Sequence, residues 1–131
     1  MNEQELVNQL SQTSKGLLWL SESDYPFETV CLEDVDDINA KLLELTDSNP
    51  DTTIEVRELD RFFNRVTEEK DWYEEEEMAE CKRYQALVNL LKTHLTDIKV
   101  YRVGSCEVSC YILGKTDSGA IAGLSTISVE T

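Results

Sequence analysis

Apolar positions recur at helical spacing near the start of the chain, where Leu6, Val7 and Leu10 fall on one side of residues 3–13. Gly16 supplies a stop signal, and Leu17 and Leu18 follow it. Ser21 to Pro26 reads as a loop by composition. Phe27 to Leu32, FETVCL, is rich in β-branched and aromatic residues and reads as a strand. The acidic stretch Glu33 to Asp37 runs into Ile38, Leu42 and Leu45, which form the apolar side of a short helix. Asp47 to Thr52, with Asn49-Pro50 inside it, is a turn. Thr53 to Val56 alternates as a second strand, and Leu59, Phe62, Phe63 and Val66 mark another short helix.

The longest periodic segment covers Glu74 to Leu95, where Met78, Cys81, Tyr84, Leu87, Val88, Leu91 and Leu95 keep a three-to-four spacing. Asp71 is the expected N-cap, with Glu74 three residues on in a near capping-box arrangement. The period then changes. Val100 to Gly104, Glu107 to Leu113 and Ala120 to Val129 read as three strands, joined by turns at Gly104-Ser105 and Asp117-Ser118-Gly119. Neither repeats nor a low-complexity linker interrupt the chain, so residues 1–131 are expected to form a single domain. Helices placed early, strands placed late and strands threaded between helices predict an α+β fold. A mixed, largely antiparallel sheet with one helix layer per face would bury both the long helix and the N-terminal one.

Composition narrows the function more than the fold. A chain of 131 residues buries about two-thirds of its unfolded surface, enough for one core without staples. Twelve Lys and Arg against 27 Asp and Glu leave a net charge of −15. That charge opposes binding to nucleic acid or anionic lipid and favours a basic partner. No stretch approaches the roughly 20 apolar residues of a membrane span, and MNEQELVNQL has neither the basic nor the apolar region of a secretory signal. A cytoplasmic location is expected. The four cysteines fit it: Cys106 and Cys110 lie about 13 Å apart along a strand, beyond the ~7 Å a bridge allows. Cys31 and Cys81 read as buried packing residues, and all four as reduced thiols.

Signals for catalysis are weak. The five glycines form neither GxGxxG nor a P-loop. His94, near the end of the long helix, suits the dipole there. The run Glu74-Glu75-Glu76-Glu77 invites a metal-site reading, but carboxylates at a helix N-terminus have a structural role of their own, contributing about 0.3–1 kcal/mol each. Glu33-Asp34 and Asp36-Asp37 lack the calcium-loop pattern. The protein is therefore expected not to be an enzyme and to need no cofactor of its own.

Three blocks carry a resemblance. The first is Gly16-Leu17-Leu18-Trp19-Leu20 running into Ser21-Glu22-Ser23-Asp24-Tyr25-Pro26-Phe27-Glu28. The second is Asp71-Trp72-Tyr73-Glu74-Glu75-Glu76. The third is Val100-Tyr101-Arg102 with Ala122-Gly123-Leu124-Ser125-Thr126 and the closing Val129-Glu130-Thr131. In this order and spacing they resemble the nuclease A inhibitors along nearly the whole chain, with a different loop composition around residues 33–52. The resemblance implies a three-layer α/β/α sandwich, monomeric when free, that blocks the cleft of a sugar-non-specific nuclease with a ββα-metal active site. It also implies partner contacts at Thr131, Glu22 and Trp72, with Asp24, Glu74, Glu75 and Glu76 as steering charges.

Physical chemistry supplies a reason. A non-specific nuclease needs a positive groove and a hard divalent cation, because its substrate is a line of phosphates. A strongly acidic protein is steered into that groove at a salt-sensitive rate. Thr131 carries an α-carboxylate beside a hydroxyl, both oxygen ligands of the kind Mg²⁺ accepts. It could bridge to the partner's Mg²⁺ in the complex and imitate a phosphate without a scissile bond. The competing reading is an acidic adaptor that uses the same face for another basic protein.

Overall fold

The computed structural model describes residues 3–19, 24–32, 37–49 and 51–129. In chain order these form α1 (Glu3–Ser14), β1 (Leu18–Trp19), β2 (Tyr25–Pro26), β3 (Glu28–Leu32), α2 (Ile38–Leu45) and β4 (Ile54–Arg57). They continue with α3 (Leu59–Thr67), α4 (Glu75–His94), β5 (Thr96–Val103), β6 (Glu107–Lys115) and β7 (Ile121–Val129). No helix among the described residues is long and apolar enough to cross a membrane.

Five strands make one sheet in the order β3-β7-β6-β5-β4, and β1 and β2 pair as a separate two-stranded ribbon. Every pairing in the large sheet is antiparallel, the limiting case of the largely antiparallel sheet that the sequence suggests. Short connections enforce this for β5–β6 and β6–β7, since only antiparallel neighbours can be joined by tight turns. The turn between β6 and β7 is closed by Thr116 N–H to Ala120 O (2.9 Å) and Gly119 N–H to Thr116 O (3.0 Å), with Gly119 in the left-handed region at φ +90°.

Strand alternation sends neighbouring residues to two different cores. Val100, Cys110, Ile112 and Leu124 face α1, α3 and α4, packing on Leu6, Leu10, Phe62, Phe63, Tyr84, Leu87 and Leu91. Tyr101, Tyr111 and Leu113 face the other way, toward Leu42 of α2. The chain is thus a three-layer α/β/α sandwich, with unequal layers. The N-terminal and long helices share one face instead of needing a layer each. The α4 side chain of Arg83 donates to the carbonyls of Lys15 and Thr13, fastening the end of α1 to α4. Among the described helices, α2 alone covers the second face.

Three local expectations are corrected. Asp71 is not the N-cap of α4; Glu74 is, and its side chain makes no cap bond. Asp71 lies instead in a turn closed by Tyr73 N–H to Lys70 O at 3.1 Å. Glu75, Glu76 and Glu77 in the first turn stabilise the helix dipole without a side-chain cap. Strand β5 starts at Thr96, earlier than Val100, through an irregularity between Thr96 and Lys99 at which Asp97 takes φ +51°. Cys31, expected to be buried, is exposed because β3 is an edge strand; Cys81 is buried, and none of the four cysteines is in a disulfide among the described residues.

Two positions set the tolerance of this core. A Cβ at Gly123 would sit 1.8 Å from the carbonyl oxygen of Ile112, a backbone atom that cannot turn aside. Phe63 is fully buried at the centre of the larger core. Urea unfolding should therefore show Gly123→Ala losing about 1–3 kcal/mol or more and Phe63→Ala about 3–5 kcal/mol. Unchanged midpoints would contradict this packing.

Candidate protein-docking site

The sheet has two rims. At one, Lys115 is opposite both Thr96 and Ile121. At the other, Val129 is opposite Glu107, Val103 opposite Ser109 and Ile54 opposite Val103. The last described residue of β7 therefore lies on the second rim. The β1–β2 ribbon is beside it: Thr126 Oγ1 donates to Pro26 O at 3.1 Å and to Tyr25 O at 3.4 Å. Because Trp19 pairs with Tyr25, the chain leaves and re-enters the ribbon at one place.

A cluster of rings anchors that ribbon. Trp19 stacks on Phe62 with centroids 4.4 Å apart and planes 8° from parallel. It meets Phe63 and Phe27 edge-on at 5.8 and 6.3 Å. The guanidinium of Arg65 lies 4.3 Å from the Trp19 ring centre, a cation–π contact. Tyr84 of α4 donates its hydroxyl to Leu18 O at 2.6 Å.

The same helix carries the acidic run to this rim. His94 ends α4, Leu95 caps it and Thr96 begins β5 at the Lys115 rim, so the start of α4 points the opposite way. From Tyr84, already level with the ribbon, the helix extends about 14 Å further to Glu75 at 1.5 Å per residue. The connection before it is braced from below: Gln85 Nε2 donates to Thr67 O at 2.8 Å and to Glu69 Oε2 at 3.2 Å. Lys70 pairs with Glu68 at 3.0 Å. On this turn Trp72 is 74% exposed, touching Tyr73 edge-on at 6.3 Å, with Lys70 Nζ 5.9 Å from its ring centre.

Of the residues singled out from sequence, Trp72, Asp24, Glu74, Glu75 and Glu76 are all exposed. Glu22 and Thr131 lie outside the described residues. The described elements that flank them in the chain, the β1–β2 ribbon and the end of β7, lie at one rim, toward which the start of α4 also points. His94 ends α4 at the opposite rim. Among the described residues, no three His, Cys, Asp or Glu side chains group so as to hold a metal. Sequence reasoning missed Trp19, Phe27 and Arg65 as the supports of this end. Their signal was present in the density of aromatic residues at 19, 27, 62 and 63.

Comparison with known proteins decides the family, for residues 4–131 match the sequence profile described as nuclease A inhibitor-like protein. The chain belongs to that family. No individual curated protein matches it. In this nuclease A inhibitor-like protein the rim that carries Trp72 and the β1–β2 ribbon is built over buried tyrosine and cysteine side chains.

Burial pushes the Tyr84 hydroxyl well above the ordinary tyrosine range, and the nearby Glu80 carboxylate pushes it the same way, against Arg65 and Arg83. Burial also raises Tyr101, Tyr111 and the Cys81 thiol. Each group holds its proton longer when folded. Its stability contribution is complete below the unfolded pKa, roughly 8.5 for Cys and 10 for Tyr, and is lost as pH rises toward the folded value. Thermal unfolding should thus show stability falling above pH ~9. Tyr84→Phe should flatten that fall while costing about 1 kcal/mol at neutral pH through the lost bond to Leu18 O. An alkaline slope identical in the variant would contradict the role given to Tyr84.

Proposed function

We propose that this protein is a stoichiometric inhibitor of a metal-dependent, sugar-non-specific nuclease with a ββα-metal active site. It seats the rim described above in the enzyme's cleft. The observation that carries the reading is the family match over residues 4–131. Geometry supports it. A large aromatic side chain stands out from a braced turn beside exposed carboxylates, the arrangement of an interface anchor surrounded by steering charge. The protein acts as a monomer without a cofactor of its own, in the cytoplasm. The only metal involved is the partner's Mg²⁺, which Thr131 reaches in the complex through its carboxylate and hydroxyl. Glu22 accepts hydrogen bonds from a basic or general-acid residue of the enzyme, and Trp72 fills a pocket on it. Asp24, Glu74, Glu75 and Glu76 contribute to the field that draws the two proteins together.

One molar equivalent should abolish cleavage of both DNA and RNA by a matching nuclease. If excess protein leaves every ββα-metal nuclease active while a pull-down returns one other basic protein, the adaptor reading replaces this one. Within the complex, Trp72→Ala should weaken binding about 30-fold or more, the scale of an interface hot spot of 2 kcal/mol. Its unfolding free energy should shift by no more than about 0.5 kcal/mol. Glu22→Ala should likewise weaken binding with little change in thermal stability. Residues appended after Thr131 should impair inhibition far more than residues placed before Met1; equal effects would remove the metal contact.

A further inference from the structure

The face of the sheet that α2 covers is left open near the docking rim. Directly opposed residues share a face, so the cross-strand row Glu28–Ser125–Tyr111 and the next pair, Ile127–Ser109, all lie on it. Together with Tyr25 they line a cleft of about 210 Å³. It lies between the ribbon that precedes β3 and the last residues of β7.

The chemistry of this cleft is one-sided. No Lys or Arg is among the described residues that line it. Among the described residues, the Glu28 carboxylate and the hydroxyls of Tyr25, Tyr111, Ser109 and Ser125 have no hydrogen-bond or ion-pair partner. Such a set offers one negative charge, several acceptor oxygens and two aromatic rings, with Ile127 as an apolar wall. A guanidinium matches it: planar and always charged, it presents five donors in a fixed fork and also stacks on aromatic rings. An ammonium would satisfy fewer of these groups.

We infer that this cleft receives an arginine side chain of the inhibited nuclease, forming a second anchor beside the chain end and clamping the partner from the sheet face opposite α4. The inference rests on the nuclease-inhibitor reading above. A positive groove that holds nucleic acid has arginines to offer at its edge, and an anchor here would fix the rotation of the inhibitor about its terminal contact.

Association and dissociation rates of the nuclease complex test it. Glu28→Gln keeps the shape of the side chain and removes its charge; Ser125→Leu fills the cleft. Each should raise the dissociation rate by about 10–100-fold, because a seated charge pair acts on dissociation. Asp97→Asn makes the same charge change at the opposite rim and should leave that rate alone, while slowing association as little as Glu28→Gln does. Urea midpoints confirm folding; should Ser125→Leu fail to fold, Glu28→Gln decides alone. Tight binding by the wild-type protein with an unchanged dissociation rate for Glu28→Gln overturns the arginine cleft and leaves the inhibitor reading standing. Failure of the wild-type protein to bind any ββα-metal nuclease overturns both.

Discussion

Stacking of Trp19 on Phe62 is the contact on which the docking end depends. The β1–β2 ribbon has two residues per strand, far too few to hold itself together in water. What fixes it is the burial of Trp19 and Phe27 against Phe62 and Phe63 of α3 and Tyr84 of α4. Aromatic side chains of this size dominate core energetics, and edge-on and offset pairs add about 0.5–1.5 kcal/mol each beyond area. One cluster therefore sets two things at once: where Trp19 and Tyr25 lie against the body, and how α3 meets α4. The turn bearing Trp72 connects α3 to α4 and inherits its position from how they meet.

The acidic charge is distributed unevenly over the fold. A net charge of −15 is repulsive to the compact state. The densest acidic run lies at the start of α4, where the helix dipole favours carboxylates and offsets part of that repulsion. Elsewhere cations are spent on local pairs, such as Lys92 with Asp60 and Lys115 with Asp97, exposed contacts that contribute at most about 1 kcal/mol each. Arg102, largely buried, reaches Glu55 at 3.7 Å across the β4–β5 pair. The rim that carries Trp72 keeps Glu74, Glu75 and Glu76 exposed, as attraction to a basic cleft under the proposed function requires.

Most of the scaffold was legible from periodicity. The α4 stripe from Cys81 to Leu91 and the alternation in β6 and β7 are long enough for their period to be read, and both appear as anticipated. Elements whose signal is shorter than a period were not legible. The strands at Leu18–Trp19 and Tyr25–Pro26 have no alternation to detect, and their pairing is imposed by rings distant in sequence. Asp71 had the right chemistry for a cap, but the turn through Lys70 and Tyr73 places it outside the helix. That α1 and α4 share a face is a tertiary choice made by Arg83 and the common core, which no single helical stripe encodes. For the site, motif resemblance named Trp72, but its exposure could only come from structure, since a Trp beside a helix start packs inward as readily as outward.

Under the proposed function, the rim of the sandwich that carries Trp72, the β1–β2 ribbon and the end of β7 is what meets a nuclease. The crystal structure of the protein bound to a ββα-metal nuclease tests this most directly. This rim should be buried against the cleft with the chain end directed at the metal, and the Lys115–Ile121 rim should be in solvent. A complex that buries the Lys115–Ile121 rim and leaves Trp72 in solvent would contradict it.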